Sequence, residues 1–227
     1  MRPQEFGWYL PTHGDTTAYG LAEAQVPGSP ELCDRVVRAA EVAGFEYLLI
    51  PVGSTCWEAW IAGAFMAARS SKIKPLIAAR PGYMARAHGR ENDIGFGMRL
   101  QLICRENEAD AWEAADLLVR HATERQMQEM KTLYNKSEAN QRVQQLAREH
   151  GDLLLPHLWT GITRVRPGAG IAVVGTPAQC AATLQQFIDA GCHSFCLSGY
   201  LHDEEAERFG RLVRPILVET NRGRWVA

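Results

Sequence analysis

The side chains of this chain best suited to chemistry stand at or near the ends of its apolar runs. His13 follows the run Glu5–Leu10, Cys56 comes shortly after Phe45–Ile50, and Arg80 ends Ile73–Ala79. Arg99 and Gln101 lie two residues apart within Ile94–Cys104, so in a strand they share one face. Arg166 belongs to a glycine-rich loop, and Tyr200 and His202 follow Ser194–Ser198. These types offer cations for an anionic group, acid–base candidates and a thiol able to react as its thiolate. Each also has a structural role open to it. His13 can hydrogen-bond its own turn, and Cys56 can be a buried thiol. Gln101 can satisfy Arg99 or a backbone group, Arg80 and Arg166 can be solvated, and Tyr200-Leu201-His202 can cap the last helix. Arg99 is the hardest to explain structurally, because an unpaired charge inside an apolar strand is costly. The clustering carries the argument for a site.

The elements that must position these residues follow from periodicity. Ser29-Pro30-Glu31 starts a helix, with a serine cap and proline at the first helical position, and Gly44 ends it. Strand Phe45–Ile50, helical spacing over Cys56–Ala68 and strand Ile73–Ala79 then give β-α-β-α-β, the pattern of parallel strands. Ile94–Cys104 is a fourth strand. Glu108 to His150 reads as one or two long charged helices, Ile171–Val174 as a weaker strand, and Thr176-Pro177 as a further helix start. Ser194–Ser198 is the last strand. Asp203–Glu219 reads as one closing helix with an aspartate cap. The fold class is α/β with about five or six mainly parallel strands, and chemistry is expected at their C-terminal ends.

Composition removes other classes. The 227 residues are 46% hydrophobic with a net charge of -2, which argues against disorder, nucleic-acid binding and a polybasic membrane anchor. No run reaches the length of a membrane span, and the first residues lack the pattern of a signal peptide. The six cysteines form no C-x-x-C pair, so the expectation is a cytoplasmic protein without disulfides or a metal site. No G-x-G-x-x-G, P-loop or H-E-x-x-H motif is present.

The order and wording of the motifs resemble a known family. Tyr9-Leu10-Pro11-Thr12-His13-Gly14-Asp15, Leu49-Ile50-Pro51, Cys56-x-Glu58-Ala59-Trp60 and Ala79-Arg80-Pro81 are similar to the start of the alkanesulfonate monooxygenases. Those enzymes belong to the bacterial-luciferase-like flavin monooxygenases. Phe96-Gly97-Met98-Arg99-Leu100, Pro156-x-Leu158-Trp159-x-Gly161, Val165-Arg166-x-Gly168-Ala169-Gly170 and Leu197-Ser198-Gly199-Tyr200 extend the resemblance across most of the chain. It implies a TIM-like (β/α) barrel, reduced FMN delivered by a separate flavin reductase, and oxygenation of a small organic substrate such as an alkanesulfonate. It places His13, Cys56, Arg99, Arg166 and Tyr200 at the active site; joined to the strand-end positions, the expectation is His13, Cys56, Arg99 and Tyr200 in catalysis and Arg80, Gln101, Arg166 and His202 in binding substrate or cofactor.

Two departures shape the expectation. The family commonly has histidine where this chain has Gln101, which transfers no proton near neutral pH. The family also carries a long stretch between the Ala-Arg-Pro motif and the arginine-bearing strand, including a Gly-Gly-Ser-Ser-like grip on the flavin phosphate. Here Arg80 is followed almost at once by Arg99. Residues 1–227 therefore read as one shortened, incomplete barrel domain with a deletion junction near 82–92. Too few strands remain for an eight-stranded closure. The third and fourth strands would present open edges, met either by a smaller, distorted closure or by a homo-oligomer that covers them. The function expected is an FMN-dependent monooxygenase; the alternative is a catalytically impaired flavin- or anion-binding relic or assembly protein.

Overall fold

Alternation along the first strand already separates two faces. In β1 (Glu5–Tyr9), Phe6 and Trp8 point into the main apolar core, while Gly7 and Tyr9 face the other way. The computed structural model describes residues 4–53, 55–78, 89, 97–134, 138–166 and 170–224. In chain order, β1 leads to a small antiparallel pair, β2 (Gly14–Thr16) and β3 (Gln25–Pro27). Helix α1 (Pro30–Val42), β4 (Tyr47–Ile50), α2 (Ala59–Ala67) and β5 (Lys74–Ile77) follow. Next come β6 (Gly97–Cys104), α3 (Glu108–Arg120), α4 (Glu124–Tyr134) and α5 (Glu138–His150). A hairpin of β7 (Leu153–Leu155) and β8 (Leu158–Trp159) precedes β9 (Ala172–Gly175), α6 (Pro177–Asp189) and β10 (Ser194–Ser198). Helix α7 (His202–Arg208), a π-helical segment (Phe209–Val213) and α8 (Arg214–Thr220) end the described chain.

The main sheet has eight strands in the order β5-β4-β1-β10-β6-β9-β8-β7. The run from β5 to β9 is parallel throughout, and β8 and β7 are antiparallel. This corrects the expectation of five or six strands, because the Leu153–Trp159 hairpin adds two short strands that periodicity hid. It also corrects the fourth strand's status. β6 is no edge: it lies between β10 and β9 and is hydrogen-bonded on both sides. Among the described residues the sheet ends at β5 and β7, and no closure into a barrel is seen.

Local chemistry explains most helix limits. Ser29 accepts a hydrogen bond from the Leu32 N–H at 3.1 Å, and α1 stops where Gly44 adopts φ of 80°. Thr176 and Gln179 form a capping box on α6. The expected closing helix differs in two ways. It begins at His202 without a side-chain cap from Asp203, and it is interrupted before Pro215, which has no N–H to donate to the preceding turn. The charged stretch 108–150 forms three helices rather than one or two. No helix among the described residues is long and apolar enough to cross a membrane.

One sheet face packs against α1, α6 and the closing helices. Phe6 stacks on Phe195 at 5.6 Å, and Phe209 lies 5.3 Å from Phe6 and 5.1 Å from Phe45. A second apolar cluster joins Ile103, Ala172 and Val174 to Ala111, Ala115 and Leu118 of α3. Ile103 shares the face of Arg99 and Gln101, so α3 roofs the outer part of that face.

At the other end of this face the Tyr47 ring lies across Gly7. A Cβ on Gly7 would stand 2.0 Å from the ring, and the Tyr47 hydroxyl is 3.0 Å from Ser194 Oγ on β10. Gly7→Ala is therefore expected to destabilise the protein by about 1–3 kcal/mol. That lowers the thermal midpoint, followed by circular dichroism, by several degrees. Adding Tyr47→Ala should remove most of the penalty, because the two sites are in direct contact.

Candidate functional site

A cavity of about 670 Å³ opens beside the ends of β1 and β4, on the face of β6 that carries Arg99. It is within the ~300–1,000 Å³ range of small-molecule sites. Tyr9, His13, Cys56, Arg99 and Arg166 line it, and Glu129 and Met130 of α4 form part of the far wall. The sheet register explains the meeting. Tyr47, Gly7, Cys196 and Arg99 are neighbours across β4, β1, β10 and β6, and Ser198 pairs with Gln101 one step further along.

Among the described residues Arg99 forms no ion pair. Its guanidinium lies 4.4 Å from the centre of the Tyr9 ring, and its Nε is buried without a hydrogen bond among the described residues. Burial first, then the like charge of Arg166, lowers its pKa. Arg166 is 4% exposed and lies 5.4 Å from the Tyr9 ring and 5.8 Å from that of Tyr200. Two cations thus bracket aromatic rings in one pocket, an arrangement suited to an anionic ligand. Burial raises the Cys196 thiol to about 11 against the opposing pull of both arginines. Burial likewise raises Tyr9 and Tyr200, so both hydroxyls stay protonated near neutral pH.

Below the cavity lies a buried pair that fixes its walls. His202 Nδ1 is 2.9 Å from Asp15 Oδ1, with both side chains fully shielded from solvent. Asp15 also accepts hydrogen bonds from the His202 N–H at 2.6 Å and the Thr16 N–H at 2.9 Å. Burial alone would raise the Asp15 pKa; the His202 charge and these hydrogen bonds together hold it below its usual value. The imidazole of His202 packs edge-on to Tyr200 at 5.1 Å and lies 5.5 Å from Tyr9. Tyr200 in turn shares a 2.8 Å hydrogen bond with the Tyr19 hydroxyl.

His13 stands at the cavity mouth, 3.4 Å from the Tyr9 hydroxyl through Nδ1. Burial against the wall, followed by the Arg166 and His202 charges, pushes its pKa down to about 4. His13 is nonetheless exposed, so solvent screens part of this effect. His13 is neutral at pH 7, able to accept a proton or a hydrogen bond.

The structure thus brings four expected residues, His13, Cys56, Arg99 and Arg166, into one cavity. Tyr200 stands behind Arg166, while Gln101 and His202 are fully buried beneath the wall rather than lining it. Arg80 lies outside the described residues. Sequence reasoning assigned no role to Tyr9, Asp15 or Tyr19. Tyr9 and Asp15 lie in the motif that holds His13, and Tyr9 was readable as the residue opposite in facing to Trp8. Nothing local marks Tyr19, whose partner is 181 residues away. Among the described residues no group of three His, Cys, Asp or Glu side chains gathers to hold a metal ion. A second cleft of about 500 Å³ between α4, α5 and Arg164 lies apart from these residues, and its Arg164 is paired with Asp152.

Two outcomes are expected. Asp15→Ala strands His202 in the interior and should cost about 3–5 kcal/mol in urea unfolding. The imidazole of His13, followed by NMR, should titrate well below its ordinary 6.5. Because the unfolded chain binds this proton more readily, the His13 contribution favours the fold fully above about pH 6.5 and is lost as pH falls from there towards about 4. A midpoint at or above 6.5 would contradict the cavity geometry.

The family model described as luciferase-like monooxygenase matches residues 83–194, a span that carries Arg99, Gln101 and Arg166 and stops at the first residue of β10. His13, Cys56, Tyr200 and His202 lie outside the matched span but meet it in space. The match covers a little under half of the chain and shows a similarity of that span to luciferase-like monooxygenases, alongside a mainly parallel α/β sheet.

Proposed function

We propose that the protein is a reduced-flavin-dependent monooxygenase that transfers an oxygen atom from O2 to a small organic substrate with an anionic head, an alkanesulfonate or a close chemical relative. The observation carrying this reading is Arg99: its Nε is buried without a hydrogen-bond partner among the described residues, in a cavity that Tyr9, His13, Cys56, Glu129 and Arg166 also line. A buried cation without a counter-ion is costly, and an anionic ligand that satisfies it removes the cost.

The residues present fit a flavin. Tyr9, Pro51, Val52, Met130 and Val165 give the cavity flat and apolar wall for a planar ring, and the orphaned Arg99 Nε suits an anionic oxygen. Reduced FMN, delivered by a separate reductase, would supply the electrons for activating O2. The protein's own part is binding, orientation and exclusion of water. Arg99 and Arg166 hold anionic oxygens, and the protonated Tyr9 donates a hydrogen bond to charge that develops nearby. Neutral His13 accepts a proton at the mouth, and α4 shields the cavity from bulk water.

The test supplies the purified chain with FMN, a flavin reductase, NADH and 1-octanesulfonate, and measures sulfite release. Sulfite should form, and Arg99→Ala should slow it about a hundredfold while the far-ultraviolet circular dichroism stays native. No sulfite, together with no quenching of FMN fluorescence at high micromolar protein, would overturn the reading.

A further inference from the structure

We infer that Tyr19 is a ligand-binding residue of this cavity: its hydroxyl, fixed from behind by Tyr200, donates a hydrogen bond to an anionic oxygen of the ligand beside Arg166. The inference rests on the proposed reading only in taking this cavity as the ligand site.

Two phenols sharing one hydrogen bond define the arrangement. The hydroxyls of Tyr19 and Tyr200 are 2.8 Å apart, and their rings meet edge to face at 5.7 Å. Each hydroxyl carries one proton, and burial keeps both phenols protonated near neutral pH. One proton lies in the shared bond, so the other must point elsewhere. The two residues differ in where they stand. Tyr19 lines the cavity with Ala122 and Arg166, whereas Tyr200 is 6% exposed and stands behind the wall. Among the described residues the Tyr200 hydroxyl makes no hydrogen bond besides the one to Tyr19. A buried O–H without an acceptor is costly, so Tyr200 donates to Tyr19 and the Tyr19 proton is left for the cavity. Burial is the main influence on both groups and raises both pKa values, and Arg166 opposes it. The shared bond then pulls Tyr19 down and pushes Tyr200 up, as this polarity requires.

The backbone holds the donor still. The Tyr19 N–H donates to the Leu118 carbonyl near the end of α3 at 3.0 Å. At Gly20 a Cβ would stand 2.1 Å from the His121 carbonyl oxygen, so only glycine lets this loop lie so close to α3. The phenol is pinned at its backbone and at its hydroxyl, and its orientation is set before a ligand arrives. Arg166 supplies the charge on the same wall, with its guanidinium 5.8 Å from the centre of the Tyr200 ring. A neutral O–H beside a guanidinium is the complement of an oxygen that carries negative charge, as in a sulfonate, a carboxylate or a phosphate.

The test is isothermal titration of the full chain with 1-butanesulfonate, and fluorescence titration with FMN and with riboflavin, which lacks the phosphate. Tyr19→Phe removes only the hydroxyl and should weaken an anionic probe about tenfold while leaving riboflavin within about twofold. A loss for butanesulfonate puts the donor at the substrate head, and a loss for FMN puts it at the flavin phosphate. Tyr200→Phe should weaken the same probe only about threefold, because Tyr19 keeps its proton and loses its fixed orientation. The inference is overturned if the native chain binds neither anion, or if Tyr19→Phe binds both within about twofold of native while its thermal midpoint falls, the mark of a purely structural phenol. It is equally overturned if Tyr200→Phe weakens binding more than Tyr19→Phe does. Should Tyr19→Phe fail to fold, native chain carrying 13C at tyrosine Cζ decides: the Tyr19 signal should move on adding the anion, and a fixed signal sinks the idea. Anion binding that tracks Tyr19 without any sulfite release would sustain this donor and remove the monooxygenase reading.

Discussion

The Asp15–His202 pair is the contact on which the cavity depends. It ties β2, which follows β1, to the start of α7, 187 residues later, where the adjacent strands β1 and β10 end. Both carboxylate oxygens are engaged, and the Trp8 indole donates to the His202 carbonyl at 2.9 Å, so the junction is fixed in several directions at once. Removing charge from water is expensive, and only this density of hydrogen bonds makes the pair tolerable. The consequence is positional. The segment carrying His13 and Tyr19 cannot drift from the segment carrying Tyr200, and the Tyr19–Tyr200 hydrogen bond depends on both.

Given that junction, the sheet divides labour between its faces. The phenylalanine-rich face buries the apolar surface that stabilises the fold, and the opposite face is composed of glycine, tyrosine, cysteine, arginine and glutamine. Gly7 is small so that Tyr47 can lie flat across β1 towards β10, filling space that a closed barrel would fill with layered side chains. Helix α3 covers the outer end with Ala111, Ala115 and Leu118. What remains uncovered between these two fillings is the cavity. Its position follows from where the packing stops.

The legible parts of this architecture are those governed by neighbours in sequence. The caps at Ser29 and Thr176, the glycine stop at Gly44 and the β-α-β-α-β opening all rest on residues a few positions apart. The placement of β6 between β10 and β9 rests on pairings across roughly 70 to 100 residues, and no local pattern encodes them. The break in the closing helix was readable from Pro215, whereas the β7–β8 hairpin was masked by an unbroken leucine run with no alternation. For the site, residue type was a good guide where it was costly. Arg99 in an apolar strand stood out, and among the described residues its Nε is left without a hydrogen-bond partner. Tyr9, Asp15 and Tyr19 are ordinary types in ordinary positions until their distant partners are known.

The distribution of polar satisfaction separates structural groups from functional ones. Glu205 is as deeply buried as Gln101, yet it takes hydrogen bonds from Arg105 and Arg208 at 2.5 Å each. Asn221, also buried, exchanges hydrogen bonds with Gln185 and donates to the Leu217 carbonyl. Those groups hold helices to the sheet and are complete in themselves. Other buried side-chain atoms are left unsatisfied among the described residues: Arg99 Nε, Gln101 Nε2 and Thr12 Oγ1, and also Gln4 Nε2 and Arg214 Nη1. Of these, Arg99 lines the cavity, and its missing hydrogen bond is a feature of the site. That lack is held in place by the rigid central strands and the Asp15–His202 junction, and it is relieved by a ligand that brings the missing acceptor.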